Sequence, residues 1–301
     1  MITCSICIAT HKRLQLLKKL LDSLYNQKLS ESILIEIIVV DNDVNETARD
    51  ICRTYSDTDS IKLYYFTQPV KNISLTRNKA VQNAKGEFIF FIDDDTYAID
   101  SWVTNLLKCL AEYKADAVFG AVVPYYENGV PDWVQKSNYF EKSILKTGSE
   151  PELVYTTNCV IKSELIKPLE EPFNPECGLT GGEDGLFFGG LQKNGARFIF
   201  CSEAVVNDFV PVERGTLNYL FRRAFRRGIT YSRHGIILSD FKIVLWFYTL
   251  FRSIAAVLIS LLFSILLSPS EIRRNFWLVK MVGNLGHIAG LFNAKYKMYK
   301  K

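Results

Sequence analysis

The sequence predicts an α/β fold on a mostly parallel sheet, followed by a helical carboxyl end. Three observations carry that prediction. Short apolar runs alternate with helical patterns through the first hundred residues, two of those runs stop abruptly at aspartates, and residues 212–301 turn apolar and basic. Residues 2–9 form the first apolar run, a strand, and Leu14, Leu17, Leu21 and Leu24 follow at helical spacing. Residues 33–40 are a second strand, closed by Asp41-Asn42-Asp43. The polar stretch 45–55 reads as a helix and 61–66 as a third strand. Residues 74–84 are helical up to Gly86, and 87–92 form a fourth strand running into Asp93-Asp94-Asp95. Apolar strands separated by helices imply a parallel sheet covered on both faces. A helix over 101–114 and a strand over 117–123 continue the pattern. Residues 124–151, with Tyr125, Tyr126, Trp133 and Tyr139, read as a long irregular excursion over the sheet, of the kind that forms lids and binding loops.

Composition excludes disorder: of 301 residues 48% are hydrophobic and 23% charged. The net charge of +4 hides an asymmetry. Residues 1–211 hold 21 Lys/Arg against 29 Asp/Glu, and residues 212–301 hold 15 against 3. The basic end is also apolar, which favours an anionic membrane surface as partner and argues against nucleic acid. Cys4 and Cys7 spell C-x-x-C, but no second pair follows, so they read as small core residues rather than zinc ligands. An odd count of seven cysteines and the lack of a signal-peptide pattern imply a reducing, cytoplasmic setting.

In an open α/β sheet, ligands bind beyond the carboxyl ends of the strands. Acidic residues fall at two such ends, Asp41/Asp43 and Asp93/Asp94/Asp95. Three adjacent carboxylates repel one another, and a hard divalent cation such as Mg2+ or Mn2+ relieves that repulsion. The bland alternative is an acidic turn capping a helix over 99–110. For Asp41 and Asp43 an Asx turn competes evenly with ligand binding. A third acidic pair, Glu183-Asp184, follows Gly181-Gly182 and opens a short helix ending near Gly195. It reads either as charge complementing a helix N-terminus or as a general base on a glycine-flanked loop.

In order along the chain, these segments resemble bacterial glycosyltransferase family 2, with the GT-A fold, a Rossmann-like nucleotide-diphospho-sugar transferase. The resemblance spans most of residues 1–235 and rests on several motifs. They are Ser5-Ile6-Cys7-Ile8-Ala9-Thr10-His11-Lys12-Arg13, Val39-Val40-Asp41-Asn42-Asp43, Arg77-Asn78-Lys79-Ala80, Gly86 through Asp95, Thr157-Asn158, Gly182-Glu183-Asp184 and Arg222 through Gly228. The layout is similar to enzymes that add single sugars to exopolysaccharide repeat units of the succinoglycan type. The resemblance implies that Asp41 binds the nucleotide base in a pocket lined by Thr10 and Arg13, with Arg77 nearby and Asp43 on the same donor side. It places Asp93 by the ribose or donor sugar and Asp95 on the metal, with Asp94 open to either duty. Asp184 becomes the catalytic base and Glu183 its neighbour at the acceptor. The implied reaction inverts the anomeric carbon of a nucleotide-sugar donor, UDP-linked by resemblance, and transfers it to a lipid-linked or other glycan acceptor.

Residues 216–228 read as a helix carrying Arg222, Arg223, Arg226 and Arg227. These form either a solvated, lipid-facing stripe or a clamp on the donor diphosphate, the latter through Arg223 and Arg226. Processive relatives carry Q-x-x-R-W here. Arg223-Ala224-Phe225-Arg226-Arg227 lacks both the glutamine and the tryptophan, which favours single-sugar transfer.

Residues 243–267 contain one charge, Arg252, and 276–292 set Lys280, Asn284 and His287 on one face. Arg273 and Arg274 lie between the two segments. A full crossing would put them outside against the positive-inside tendency, so a re-entrant or interfacial hairpin is favoured over a span. The expected organisation is therefore a catalytic domain over 1–235 and membrane-associated helices over 236–301, at the cytoplasmic face of a bacterial membrane. Two rivals remain. A nucleotidyltransferase would need a Gly-rich loop after the first strand, where Thr10-His11-Lys12-Arg13 has no glycine. A non-catalytic nucleotide- or carbohydrate-binding module would have no need for both the aspartate triplet and Glu183-Asp184.

Overall fold

The structure, a computed structural model, describes residues 1–294 and Tyr296. Lys295, Lys297, Lys300 and Lys301, which extend the basic end in the sequence, lie outside the described residues. Two compact units emerge. The first comprises Met1–Pro124, Lys142–Gly178 and Glu183–Asp208; the second comprises Tyr125–Glu141, Leu179–Gly182 and the chain from Phe209 onward.

The chain begins with β1 (Ile2–Thr10), α1 (Leu14–Tyr25), β2 (Ile33–Asp41), α2 (Arg49–Arg53), β3 (Ile61–Thr67), α3 (Ile73–Asn83) and β4 (Phe88–Ile92). Then come β5 (Thr96–Ala98), α4 (Trp102–Glu112), β6 (Ala117–Tyr126), α5 (Asp132–Gln135), β7 (Asn158–Lys162), α6 (Ser163–Ile166), α7 (Glu183–Lys193) and β8 (Phe198–Val210). One sheet joins the strands in the order β3-β2-β1-β4-β7-β6-β8-β5. The expected parallel arrangement holds for β3, β2, β1 and β4, whose helical crossovers enforce it. From β4 outward the pairing is antiparallel, β4 with β7, β7 with β6, and β5 with β8. β1 lies inside the sheet and is apolar on both faces. Cys4 and Cys7, three residues apart on a strand, therefore point to opposite sides and join separate core clusters. They share no common ligand position, and burial raises the Cys4 thiol to about 12.

The polar stretch expected as a helix over 45–55 is helical only over Arg49–Arg53. Asp41 and Asp43 take the backbone amides of the intervening loop, and such local side-chain bonds compete with helix formation. The aspartate triplet likewise does not cap α4, because β5 intervenes and α4 starts at Trp102. Asn158, at the start of β7, fastens the antiparallel half of the sheet. Its Nδ2 donates to the carbonyls of Ala121 and Ala204, both at 2.8 Å, and its Oδ1 accepts from Trp102 Nε1 at 2.8 Å. A Cβ on Gly120 would sit 2.4 Å from that Nδ2, so the close approach requires glycine.

The second unit is built on α8 (Leu217–Leu238), α9 (Lys242–Leu266) and α10 (Glu271–Leu291). Thr216 caps α8 by accepting from the Tyr219 amide at 3.2 Å. The helix runs ten residues past the expected 228 and passes residue 235, the boundary expected from sequence. α10 packs against both α8 and α9. α8 and α10 lie backbone to backbone: a Cβ on Gly228 would sit 2.2 Å from the Gly283 carbonyl, and one on Gly286 2.2 Å from that of Phe225. Among the described residues, α9 is the one helix long and apolar enough to cross a membrane, by length and composition only.

Candidate active site

The carboxyl ends of β1, β2 and β4 meet side by side, since Thr10 is in register with Asp41 and Cys7 with Phe91. The aspartate triplet leaves β4 at this edge. Two arginines, one just before α1 and one within α3, offset the charge of its three carboxylates. Arg13, just before α1, reaches Asp94 Oδ1 at 2.8 Å and Asp95 Oδ2 at 3.0 Å. Thr10 donates its hydroxyl to the other oxygen of Asp94 at 2.9 Å. Burial, helped by the neighbouring Asp95 charge, raises the Asp94 carboxyl to about 6, against the opposing pull of Arg13 and Thr10. Arg77, on α3, donates to Asp93 Oδ1 at 3.1 Å and also to Glu183 Oε1.

That second contact is the one the sequence did not foreshadow. Arg77, expected near the nucleotide pocket, ties the aspartate triplet to the first residue of α7. Glu183 is buried, and Asp184 follows it half-exposed with one oxygen on its own helix at the Gly185 amide, 2.8 Å away. The four side chains Arg77, Asp93, Glu183 and Asp184 thereby belong to one edge of the first unit. The loop before α7 turns through Gly181 and Gly182, at φ 76° and 92°, a left-handed conformation that favours glycine. Side chains at both would also collide with α8: a Cβ on Gly181 would sit 2.1 Å from Arg226, and one on Gly182 2.1 Å from Thr230.

Asp41 is fully buried. Its Oδ1 accepts from the Asp43 amide at 3.0 Å, and its Oδ2 from the Ala48 amide at 2.8 Å and the Tyr65 hydroxyl at 2.9 Å. As placed, its carboxylate shapes the loop after β2. Tyr65 carried no signal in the sequence beyond its position on β3, in register with Val39. Asp43 has one oxygen on the Asn45 amide at 3.2 Å and within 3.8 Å of Lys12, while its buried Oδ2 has no hydrogen-bond partner. Burial pushes its carboxyl up, but the Asn45 amide, the nearby Thr47 hydroxyl and the Lys12 charge outweigh that and hold it below the ordinary range.

Arg223 and Arg226 belong to the second unit. Arg223 donates to the Tyr139 carbonyl at 3.1 Å and lies over the Phe140 ring at 4.6 Å. Arg226 donates to the Thr180 carbonyl at 3.4 Å. Both hold the backbone of neighbouring segments. Arg222 and Arg227 are exposed.

Among the described residues no group of three or more His, Cys, Asp or Glu side chains is arranged to hold a metal ion. What the triplet offers is adjacent hard oxygen donors at a strand end. That donor set fits a cation whose remaining positions are filled by water and substrate phosphate, the usual manner of Mg2+.

A sheet whose strand ends gather carboxylates and arginines, with a second acidic pair entering on a glycine turn, is the layout of a nucleotide-sugar transferase, and the comparisons agree. The chain belongs to glycosyl transferase family 2, whose sequence model matches residues 5–167. It is a glycosyltransferase. It is 30% identical over 296 residues to the succinoglycan biosynthesis protein ExoM of Rhizobium meliloti (strain 1021), covering 96% of this chain and 93% of that protein. It is 24% identical over 201 residues to the poly(ribitol-phosphate) β-N-acetylglucosaminyltransferase TarS of Staphylococcus aureus (strain Mu50 / ATCC 700699), covering 66% of this chain and 34% of TarS. The crystal structure of S. aureus TarS 1-349 in complex with UDP-GlcNAc shares the fold, with a TM-score of 0.56 at 16% identity over 99% of this chain and 93% of that one.

Proposed function

We propose that the protein is an inverting glycosyltransferase that moves a single sugar from a UDP-linked donor to a lipid-linked or other glycan acceptor. The setting is cell-surface polysaccharide biosynthesis at the cytoplasmic face of the membrane. The observation that carries the reading is Arg77 bonded to both Asp93 and Glu183, because it brings the donor-side triplet and the acidic start of α7 to one edge. The names of the relatives support the rest: one acts in succinoglycan biosynthesis and another is crystallised with UDP-GlcNAc.

In this reading Thr10, Arg13, Asp43, Asp93 and Asp94 contact the donor, and Asp41 sets the loop that receives its base. Asp95, with the donor diphosphate, would hold Mg2+ or Mn2+, which supplies positive charge for the departing diphosphate. Asp184 accepts the proton of the acceptor hydroxyl as that oxygen attacks the anomeric carbon from the face opposite the diphosphate. The C–O bond to the acceptor forms, the bond to the diphosphate breaks, and an α-linked donor gives a β product. Glu183, clasped by Arg77, fixes the start of α7 and so the position of Asp184. Arg223 and Arg226 order segments of the second unit, at the Tyr139 and Thr180 carbonyls.

The test is transfer from radiolabelled UDP-sugars to lipid-linked acceptors with Mn2+ or Mg2+ present. Asp184→Asn should lower kcat by about 10²–10⁴, the range of a lost general base, while donor affinity stays within about twofold. EDTA should abolish turnover and added Mn2+ restore it. Loss of donor binding in Asp184→Asn would overturn the base assignment, and full activity in EDTA would overturn the metal role.

A further inference from the structure

The apolar surface of the second unit is concentrated on α9. Residues 241–266 hold about half of the large apolar side chains that the described residues expose, among them Phe247, Phe251, Leu258, Leu262 and Ile265. The helix is turned inside out. Its buried residues are the small hydroxyls Thr249, Ser253, Ser260 and Ser264, spaced along one narrow stripe, while leucine, isoleucine and phenylalanine face outward. A helix that hides hydroxyls and displays hydrocarbon has an apolar medium as its surroundings.

The packing of the unit decides how α9 meets that medium. α9 runs antiparallel to α10. Trp246 Nε1 donates to the Leu291 carbonyl at 3.1 Å near one end, and Phe263 stacks on Trp277 at 4.7 Å near the other. α10 runs parallel to α8, with Phe225 against Gly286 and Ile229 against Gly290. The turn joining α9 to α10 is moored as well: Leu267, Ile272, Arg273 and Trp277 line one cavity of about 440 Å³ together with Lys136 and Ser137 of the segment that carries α5.

For α9 to cross a bilayer its ends must lie on opposite faces, some 30 Å apart. α8 and α10 would then be carried to the same depth. α8 exposes Arg222 and Arg227, and α10 exposes Lys280 within its length, all ill-suited to hydrocarbon. Lying flat meets none of these obstacles, and the exposed cations Lys242, Arg252, Arg273 and Lys280 then meet anionic headgroups.

We infer that α9 lies in the plane of one leaflet, apolar face down, with both its ends on the same side of the membrane. This rests on the membrane reading given under Proposed function and adds the orientation to it. α10 covers its polar stripe from the protein side, and Arg252 reaches sideways to the headgroups as long basic side chains do.

Full-length protein is added from outside to sealed vesicles of phosphatidylethanolamine and phosphatidylglycerol, floated, and treated with a membrane-impermeant maleimide. The seven native cysteines are buried, so the label reports on introduced ones. Lys242→Cys and Ser268→Cys, at exposed positions near the two ends of α9, should label equally and without detergent. Leu258→Glu should weaken vesicle binding at least tenfold. Labelling of Lys242→Cys with Ser268→Cys protected until detergent is added would overturn the flat orientation while leaving membrane association intact. Failure of the wild-type protein to float, with a dimer in solution covering α9, would overturn the membrane reading itself.

Discussion

Replacing Arg77 by methionine leaves Glu183 and Asp93 without their shared guanidinium. The side chain of Glu183 is 5% exposed, that of Arg77 11% and that of Asp93 33%. At about 3 Å and an effective dielectric near 20, one such pair has a Coulomb energy of roughly 5 kcal/mol. Desolvation offsets much of this in the intact protein, but removing one partner leaves the other buried, at a cost of about 3–5 kcal/mol. Asp93 can turn to water, so nearly all of the loss comes from Glu183, and the low end of that range applies. At roughly 2 °C per kcal/mol for a chain of this size, Arg77→Met should lower Tm by about 6 °C. Adding Glu183→Gln should restore about half of that, because a buried negative charge is removed, giving a coupling energy of at least about 1.5 kcal/mol. Scanning fluorimetry of the wild type, both single variants and the double variant measures this. A Tm for Arg77→Met within about 1 °C of wild type, or strictly additive single effects, would refute the clasp.

Two further outcomes follow from the geometry. Gly182→Ala forces a side chain into a left-handed backbone position and against Thr230, so it should lower Tm by several degrees, at about 2 kcal/mol, and reduce kcat more than it changes donor affinity. Asp116 is pushed up by burial but held below its ordinary 3.8 by the Arg197 amide and the Lys162 ammonium. A carboxyl depressed in the folded state contributes stability above its unfolded value and loses it as pH falls through the folded one. Asp116→Asn should therefore cost about 1 kcal/mol at pH 7, and the gap in urea denaturation should close below pH 3.8.

Most of the parallel half of the fold was legible because its strands are uninterrupted apolar runs and its first helix spaces leucines cleanly. In the antiparallel half only β6 was, as the strand expected over 117–123. β7 is five residues long, and neither it nor β8 carried an expectation, since short strands reached by long irregular connections leave little periodic signal. The helix expected over 45–55 shrank because Asp41 and Asp43 spend their oxygens on loop amides, a competition visible only once the partners are placed. In the active-site edge, residue types were readable from strand ends, but pairings were not. Arg77 and Glu183 are separated by more than a hundred residues, and nothing local in either segment announces the other.

The continuity of α8 has a practical side for anyone seeking a soluble fragment. Cutting the chain at 235, the boundary the sequence invites, would strip α10 from Gly228 and bare a helix surface built for backbone contact. Cutting before 217 would remove Arg226 and Thr230, the shoulder against which the Gly181-Gly182 turn rests. The shorter fragment would leave that turn without its neighbours. Polar substitutions on the outer face of α9, with the helices left whole, are the sounder route to a crystallisable enzyme.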